Sequence, residues 1–581
     1  MALTRGARFI LTFIVLAMCV SLGGVLLTFF LATRGPSVQS GSVLWLRVPG
    51  NLGEYVPDDL LGQLVAGRRD TVGSVVEVLR KAKVDDRIEA VVVMPPLQEG
   101  LWGKTQEIRD AILDFRESGK PVVAYLEYGG GQQYYLATAA DSVYLTPTSS
   151  LDVVGVASYE LFLRDALDAL GVQPDMLHAG DFKTASNLYT ETTFTPEHRE
   201  MAQSLNRDLF DQLVSGIATG RQMSEPYVRG LIDKGPFLPE DAVEEGLVDG
   251  LFYEDEVEAQ LPVGDTAGRR LDYGAYRQVD ARSLGLNSGP EIAVVYAVGT
   301  INFGGSGIDL SGTEVVGSDA MVRAIRQARD ERSIQAIVVR VDSPGGVAIA
   351  SDIIWRELQL AREVKPVVVS MSDVAASGGY YIAAPANAVV AQPATLTGSI
   401  GVVGGKLAVT GTLEKLGVNV EAVSDGEMAE MNSPFSPYSD ETRVRVQRQI
   451  DAVYETFLQR VAAGRDMTRD DVHAIGQGRV WTGRQAKDRG LVDELGGLRR
   501  ALAVAKEHAG IDPDSEVSVV PYPRPRSLFE TLNSELSGAA VRWSATPAER
   551  LQAIATLPLR LFRPGEPLAL MPGWGSVLMS R

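Results

Sequence analysis

The sequence predicts an α/β protein built from two tandem repeats with mostly parallel sheets, preceded by one N-terminal transmembrane helix. Three observations support this fold class. Short runs rich in valine and isoleucine alternate with longer helical patterns, which is typical of buried parallel strands joined by crossover helices. Segments of the first half recur in the second half, and an apolar run of residues 9–32 comes first. At 581 residues, the chain is also longer than one hydrophobic core usually organises.

The apolar run predicts a membrane anchor. At about 1.5 Å per residue, residues 9–32 are long enough to cross a hydrocarbon core of ~30 Å, and a cleaved signal peptide has a shorter apolar region. Cys19 resembles the cysteine of a lipidation box, but the bulky Met18 and the long apolar continuation argue against lipidation. Arg5 and Arg8 precede the run, and a single arginine closely follows it. The positive-inside rule therefore predicts a cytoplasmic N-terminus and a body outside the cytoplasm.

An internal duplication organises the rest of the chain. Three pairs of matching segments show it: Tyr134-Tyr135-Leu136 with Tyr380-Tyr381-Ile382, Gly155-Val156 with Gly401-Val402, and Gly246-Leu247-Val248-Asp249 with Gly490-Leu491-Val492-Asp493. The predicted divisions are a cytoplasmic tip and transmembrane anchor at 1–35, an N-terminal repeat at 40–255, a linker at 256–289, a C-terminal repeat at 290–510 and an extension at 511–581. For the extension, packing against the body and contact with an oligomer or a membrane both remain open.

Composition excludes several classes of function. Apolar residues make up 45% and charged residues 22% of the chain, as in folded globular proteins. The formal net charge of −19 would repel phosphate backbones, so we expect no nucleic acid partner. With Cys19 as its single cysteine, the chain cannot form an intrachain disulfide or a thiolate metal cluster. No metal or cofactor motif is recognised, and Gly304-Gly305-Ser306-Gly307 is too short for a phosphate loop.

Ser377 is the candidate nucleophile. It lies in Ala375-Ala376-Ser377-Gly378-Gly379, after a valine-rich strand pattern and before an apolar helical pattern. At such a turn, small neighbours let the hydroxyl face a cleft, and the Gly378 amide can face a developing oxyanion. A helix N-cap serine without chemistry is the alternative. The first copy has Gly131 at the matching position, whereas a purely structural serine would be expected in both copies.

A second glycine-rich turn contributes another candidate oxyanion donor, Gly346. A strand pattern at 336–341 runs into Asp342-Ser343-Pro344-Gly345-Gly346, and a helical pattern follows. Glycines permit close approach of the backbone, and free amides at a helix start stabilise an anion. Many such turns only reverse the chain, so this motif alone does not establish a site.

Lys183 is the candidate general base. A lysine can accept a proton from serine when burial lowers its pKa from ~10.4 toward ~7 to 8. Lys183 lies among small and apolar residues, and its counterpart in the second copy is Ala429. His178 lies in a strand-like segment and stays open as an alternative base. Solvated or capping positions near helix ends are expected for His198 and His508, and a helix-surface position is expected for His473.

One copy thus carries the serine and the other the lysine, which predicts a composite site between the copies. The chain resembles the signal peptide peptidase A family of Ser/Lys serine proteases, in its long duplicated form, over about residues 40–510. The motifs are Asp342-Ser343-Pro344-Gly345-Gly346, Ala375-Ala376-Ser377-Gly378-Gly379-Tyr380-Tyr381, Thr395-Leu396-Thr397-Gly398-Ser399-Ile400-Gly401 and Val480-Trp481-Thr482-Gly483.

This resemblance implies a Ser377 nucleophile, a Lys183 base and an oxyanion held by the amides of Gly378 and Gly346. It implies a crotonase-like, Clp-protease-like fold in each repeat and a homotetramer. Expected substrates are cleaved signal peptides and other apolar peptides, at a bacterial inner membrane with the body on the periplasmic or extracytoplasmic side. No cofactor is implied, and Ser399 is expected to shape a turn.

Two other functions remain open. A crotonase-like acyl-CoA hydratase or isomerase also uses glycine amides to hold an oxyanion, but it has no use for a membrane span, and residues 375–381 contain no acid/base carboxylate. A catalytically inactive membrane scaffold would require both Ser377 and Lys183 to be incidental.

Overall fold

The structure is a computed structural model that describes residues 23–24, 38–50, 52–55, 70–97, 100–261, 269–308, 313–524 and 568–571. Apart from residues 23–24, the predicted transmembrane run lies outside the described residues. Among the residues that are described, no helix is both long enough and apolar enough to span a bilayer. The described parts comprise most of the two repeats, most of the linker and two short pieces of the C-terminal extension.

Strands and helices alternate through the first repeat. Its elements are β1 (Ser42–Arg47), α1 (Val72–Val84), β2 (Ile88–Met94), α2 (Trp102–Arg116), β3 (Val122–Leu126), β4 (Gly129–Gly130), α3 (Gly131–Ala137), β5 (Ser142–Leu145), β6 (Leu151–Asp152), α4 (Arg164–Leu170), β7 (Gln173–Ala179), α5 (Asn187–Thr190), α6 (Pro196–Arg221), α7 (Glu225–Ile232), α8 (Pro239–Glu244), β8 (Gly250–Leu251), α9 (Glu254–Val257), β9 (Arg270–Asp272) and α10 (Tyr273–Tyr276). Short 3-10 turns occur at Thr184–Ser186, Glu258–Gln260 and Ala281–Leu284.

The second repeat follows the same alternation. Its elements are β10 (Glu291–Val298), β11 (Thr300–Asn302), β12 (Gly307–Ile308), β13 (Glu314–Gly317), α11 (Ser318–Asp330), β14 (Ile334–Ser343), β15 (Gly345–Val347), α12 (Ala348–Arg362), β16 (Val367–Ala376), α13 (Gly378–Ala383), β17 (Ala388–Ala391), β18 (Leu396–Gly398), β19 (Val402–Ala408), α14 (Thr410–Lys415), α15 (Asp440–Arg465), α16 (Arg469–Ile475), β20 (Val480–Thr482), α17 (Gly483–Lys487), β21 (Glu494–Leu495), α18 (Leu498–Ala509) and β22 (Ser518–Tyr522). The extension adds β23 (Leu568–Leu570).

Helix α15 shows how local sequence sets an element. Its N-cap Ser439 accepts a hydrogen bond from the Thr442 amide, and it ends at Asp466 in a left-handed conformation. In the sequence, apolar residues spaced three and four apart at Ile450, Val453, Phe457 and Val461 predict a helix over 442–464. The structure confirms this helix and places Ile450 and Phe457 on its buried face.

Each repeat has its own mostly parallel sheet. The strand order is β8-β5-β3-β2-β1-β9 in the first and β20-β18-β16-β14-β10-β22 in the second, where β17 also pairs with β16. All pairs are parallel except β18 with β20. Because neighbouring parallel strands end at the same sheet edge, the turns that follow β14 and β16 lie close together.

A third sheet joins the repeats. Strand β7 of the first repeat pairs antiparallel with β19 of the second, from Val402 opposite Ala179 to Ala408 opposite Gln173. In an antiparallel pair the end of one strand lies beside the start of the other. The residues just after β7 belong to the first repeat. They therefore lie beside the residues of the second repeat that precede β19.

Each of the two main sheets gains an edge strand from outside its repeat, β9 from the linker and β22 from the C-terminal extension. Strand β9 pairs parallel with β1, and β22 pairs parallel with β10, so the two sheets gain equivalent edges. Tyr273 and Tyr276, which follow β9, are buried against the first repeat. Parts of the linker segment 256–289 and of the extension 511–581 therefore pack on the repeats.

Candidate active site

Ser377 occupies the turn between β16 and α13. It is fully buried, and its φ of 56° is in the left-handed region, which is costly for a side chain with a Cβ and occurs at sharp nucleophile turns. Its amide donates to the Gly398 carbonyl at 2.8 Å. Ser377 stands at the N-cap position of α13, but its side chain makes no capping hydrogen bond. Helix capping therefore does not account for the Ser377 hydroxyl.

Lys183 supplies the partner of that hydroxyl. Its Nζ lies 2.8 Å from Ser377 Oγ, 3.1 Å from Ser399 Oγ and 3.1 Å from the Ser399 carbonyl oxygen. The lysine comes shortly after β7, and Ser399 shortly before β19, so the antiparallel pairing of these strands brings them together. The structure thus joins the serine and the lysine that the sequence assigns to different repeats.

Burial sets the chemical state of Lys183. The side chain is 1% exposed, and this desolvation lowers the pKa of Lys183 well below its ordinary value. A neutral amine has two N–H donors and one lone pair. The two oxygens of Ser399 can accept both N–H groups, and the lone pair then faces the Ser377 hydroxyl. The buried amine is therefore oriented to take the serine proton.

A clamp formed by residues 476–479 holds the lysine segment, and sequence reasoning missed it. The Phe182 amide donates to the Gln477 carbonyl at 2.8 Å, and the Gly478 amide donates to the Ile400 carbonyl at 2.7 Å. A Cβ at Gly478, whose φ is 82°, would lie 2.5 Å from Lys183 Cα. Glycine is therefore required at position 478. The two glycines at 476 and 478, just before Val480-Trp481-Thr482-Gly483, were the sequence feature that could have indicated this contact with the lysine segment.

The two glycine turns meet beside Ser377. A Cβ at Gly378 would lie 3.1 Å from the Gly346 amide nitrogen, and one at Gly346 would lie 2.0 Å from the Ile301 carbonyl oxygen. Because Gly378 is the first residue of α13, its N–H has no partner within the helix. Two backbone amides thus lie close to one point, as stabilisation of an oxyanion requires, and in this structure Gly346 is paired with Ala569 of β23.

A buried charged cluster, named here the inter-repeat cluster, holds the strands that lead to these turns. Its members are Glu54, Lys104 and Glu107 of the first repeat and Arg340, Asp342 and Asp373 of the second. Lys104 Nζ lies 2.7 Å from Asp342 and 3.2 Å from Asp373. Burial, with the nearby charges of Asp373 and Glu54, raises the pKa of Asp342 to about 6 against the opposing effect of Lys104.

Two of the expectations for histidine can be compared with the structure. His178 is exposed, its Nδ1 lies 3.1 Å from the Gly180 carbonyl oxygen, and no contact between His178 and Ser377 is found in the described part of the chain. The expectation of a solvated or capping His198 side chain is wrong. That side chain is 4% exposed because it packs between the rings of Phe162 and Phe194, and burial lowers its pKa to about 4.

Comparisons with known proteins agree with this geometry. A model of peptidase family S49 matches residues 114–265 and 359–512, one region in each repeat. The chain is 34% identical over 514 residues to the chloroplastic serine protease SPPA of Arabidopsis thaliana, covering 87% of this chain and 74% of that protein. It is 34% identical over 456 residues to protease 4 of Salmonella typhi, covering 76% of this chain and 72% of that protein.

Among solved structures, ClpP1 from Listeria monocytogenes matches at 16% identity over 36% of this chain and 94% of that chain. The TM-score of this match is 0.22. The family model matches a region in each repeat, and both proteases are matched over more than two thirds of their length. From these, the chain belongs to peptidase family S49 and is a serine peptidase.

Proposed function

We propose that this peptidase is a membrane-anchored endopeptidase in which Lys183 of one repeat activates Ser377 of the other. The observation that carries the proposal is the 2.8 Å separation of Lys183 Nζ and Ser377 Oγ, with both side chains buried. No carboxylate ion pair holds the amine in its charged form among the described residues. Membership in a peptidase family also favours hydrolysis over the hydratase and scaffold alternatives.

In the first half of the reaction, neutral Lys183 accepts the Ser377 proton as Oγ attacks the peptide carbonyl carbon. The amides of Gly378 and Gly346 stabilise the resulting oxyanion, and each donor contributes on the order of a hundred-fold or more in rate. The lysine ammonium then protonates the departing amine, which leaves an acyl ester on Ser377. Ser399 supports the ammonium through two oxygens at 3.1 Å.

In the second half, water replaces the departed amine. Lys183 accepts a proton from this water as the oxygen attacks the ester carbonyl, and the same two amides hold the second oxyanion. Collapse of this intermediate releases the new carboxyl group, and the proton returns to Ser377 Oγ. The cycle needs no group beyond the chain, the peptide and water.

The surroundings of the site belong to the same proposal. Residues 9–32 would anchor the chain once in a bacterial inner membrane, with the crotonase-like and Clp-protease-like repeats on the periplasmic or extracytoplasmic side. Substrates would be cleaved signal peptides and other apolar peptides. An extended peptide can pair with a strand through backbone hydrogen bonds, and on β15, which carries Gly346, it would take the position where β23 pairs in this structure.

A homotetramer is proposed for the body. Large apolar side chains are exposed on two segments that touch each other: Tyr159 and Leu170 on one, and Leu416 and Val423 on the other. Thr412 links these segments by donating to the carbonyls of Gly171 and Leu170. Exposed apolar side chains on two adjoining segments favour a protein contact. The molar mass of the detergent-solubilised chain, measured by light scattering, should correspond to four copies.

The test of the dyad is hydrolysis of a fluorogenic apolar peptide by the full chain in detergent. Ser377→Ala and Lys183→Met should each lower kcat on the order of 10⁴-fold or more while the chain stays folded. Lys406→Met is a matched control, because Lys406 is also 1% exposed but donates to the carbonyls of Met431 and Ser433. If Lys183→Met kept full activity, the base would be wrongly assigned and His178 would be replaced next.

A further inference from the structure

Arg479 lies just before β20, with its backbone held next to Ser399. Its carbonyl accepts a hydrogen bond from the Ser399 amide at 2.7 Å, and its own amide donates to the Gly476 carbonyl at 2.9 Å. Strand β20 then pairs antiparallel with β18, with Val480 opposite Gly398. The Arg479 side chain therefore starts from a fixed point beside the residue that contacts the amine of the dyad.

The side chain of Arg479 reaches across to the first repeat. Its guanidinium carbon lies 4.7 Å from the ring centre of Phe182 and 4.4 Å from that of Trp481. Nη1 lies 2.6 Å from a carboxylate oxygen of Glu200. Nε is buried and has no hydrogen-bond partner in the described part of the chain. Because a guanidinium is attracted to the face of an aromatic ring, the two rings hold the buried end of this side chain.

Phe182 connects this contact to the proposed general base. It directly precedes Lys183, whose side chain is 1% exposed. The half-buried Phe182 ring also packs against the apolar cluster that contains Val480 and Ala376, the residue before Ser377. The cluster and the guanidinium thus both hold the ring, and the ring fixes the backbone from which the lysine side chain extends. Movement of the ring would displace the amine and admit water beside it.

We propose that Arg479 is a positioning residue for the general base. By stacking on Phe182, its guanidinium keeps Lys183 Nζ away from water and aligned on Ser377 Oγ. This inference rests on the proposed roles of Lys183 and Ser377. The separation that Arg479 maintains is the 2.8 Å between these two atoms. A displacement of about 1 Å between reacting groups can cost on the order of a hundred-fold in rate.

The Trp481 ring contacts a second guanidinium, which provides a matched control. Arg489 stacks on this ring at 3.7 Å, and no contact between Arg489 and Phe182 is found among the described residues. Arg489→Met therefore removes a guanidinium from the same tryptophan and leaves the Phe182 stack in place. A second control is Glu200→Gln, because the Glu200 side chain is 61% exposed and such ion pairs contribute little.

Hydrolysis of the fluorogenic peptide by the full chain in detergent tests the proposal. Arg479→Met should lower kcat about 10- to 100-fold and leave KM nearly unchanged. Arg479→Lys keeps a cation for the ring and should recover part of this loss. Arg489→Met and Glu200→Gln should keep kcat within about twofold of the wild type.

The pH profile distinguishes positioning from a general loss of structure. Burial lowers the pKa of Lys183, so water admitted by Arg479→Met should raise this pKa toward its ordinary value of 10.5. The acidic limb of the kcat/KM profile should then move to higher pH. A smaller folded fraction alone would lower kcat without moving this limb. If Arg479→Met does not fold, Phe182→Leu gives the same test, because it removes the ring from the stack and should move the limb in the same direction.

Ser377→Ala and Lys183→Met are measured in the same assay. If both are inactive, a wild-type kcat for Arg479→Met, an unmoved acidic limb or an equal loss in Arg489→Met would each overturn the positioning role and leave the dyad intact. Full activity of Lys183→Met would instead count against the proposed function.

Discussion

Replacement of Arg340 by methionine would leave two carboxylates facing each other in the interior. Arg340 is 0% exposed and binds Glu54 at 2.7 Å and Glu107 at 2.6 Å. It also donates to Ser370 and Ser372, which lie on the strand that leads to Ser377. Burial alone would lower the pKa of Arg340, but Glu107 and Glu54 outweigh it and raise this pKa. The guanidinium therefore compensates Glu107 and, together with Lys104 at 3.7 Å, Glu54.

The size of the effect follows from the loss of that compensation. Removing one partner of a buried ion pair costs about 3–5 kcal/mol, because the other charge stays buried. With a urea slope of about 3 kcal/mol per M, this corresponds to a midpoint lower by roughly 1 M or more. Since Glu54 and Glu107 belong to the first repeat and Arg340 to the second, the change should appear in the transition that separates the repeats.

Urea unfolding followed by circular dichroism and by loss of peptide hydrolysis measures this shift. Arg326→Met is the control, because Arg326 is exposed and its pair with Glu357 should hardly affect the midpoint. Adding Glu54→Gln and Glu107→Gln to Arg340→Met removes the uncompensated charge and should recover part of the loss. A midpoint for Arg340→Met equal to that of the Arg326 control would refute the view that this charge joins the repeats.

Three further outcomes are expected. Burial lowers the pKa of Lys183. At pH values below the ordinary lysine pKa of 10.5, Lys183 is therefore protonated to a smaller extent in the folded chain than in the unfolded chain. Lys183→Met should therefore resist urea better than the wild type at pH 7, and the gain should fade as the pH rises toward 10.5. Ser399→Ala removes an oxygen that supports the ammonium, so kcat should fall and the acidic limb of the kcat/KM profile should move to lower pH. In Gly378→Ala the new Cβ would lie 2.7 Å from Ser351 Oγ, and displacement of the donor should lower kcat on the order of a hundred-fold. Gly230→Ala, where a Cβ meets nothing within 4 Å, should leave kcat unchanged.

Local patterns carried most of what the sequence predicted. The alternation of strand and helix, the duplication and the turn at Ser377 each depend on residues close in the chain. Even the pairing of Ser377 with Lys183 was predictable from the duplication. The position that matches Ser377 in the first repeat is Gly131, and the position that matches Lys183 in the second repeat is Ala429, so each repeat lacks one of the two reactive side chains. The duplication thus supplied a comparison that a single domain would not contain.

Contacts between distant segments were not predictable in the same way. Ser399 in its motif resembles any turn serine, and its contact with Lys183 depends on the pairing of β7 with β19 across the repeats. Arg340 is different, because a single charge inside the apolar run at 336–341 is unusual for a buried strand and indicates a buried partner. Which acid provides that partner depends on long-range packing, and periodicity carries no information on it.

Because the site is divided between two repeats, the interface between them has to be rigid. A proton moves between Lys183 and Ser377 only while their separation stays within hydrogen-bond reach, so the repeats cannot shift against each other by even 1 Å. A purely apolar interface would permit sliding more readily than ion pairs of fixed geometry. The inter-repeat cluster meets this demand because Lys104 binds Asp342 and Asp373, on the strands that end at the two glycine turns. Its buried charges are therefore better explained by fixing the register of the catalytic turns than by a net gain in stability.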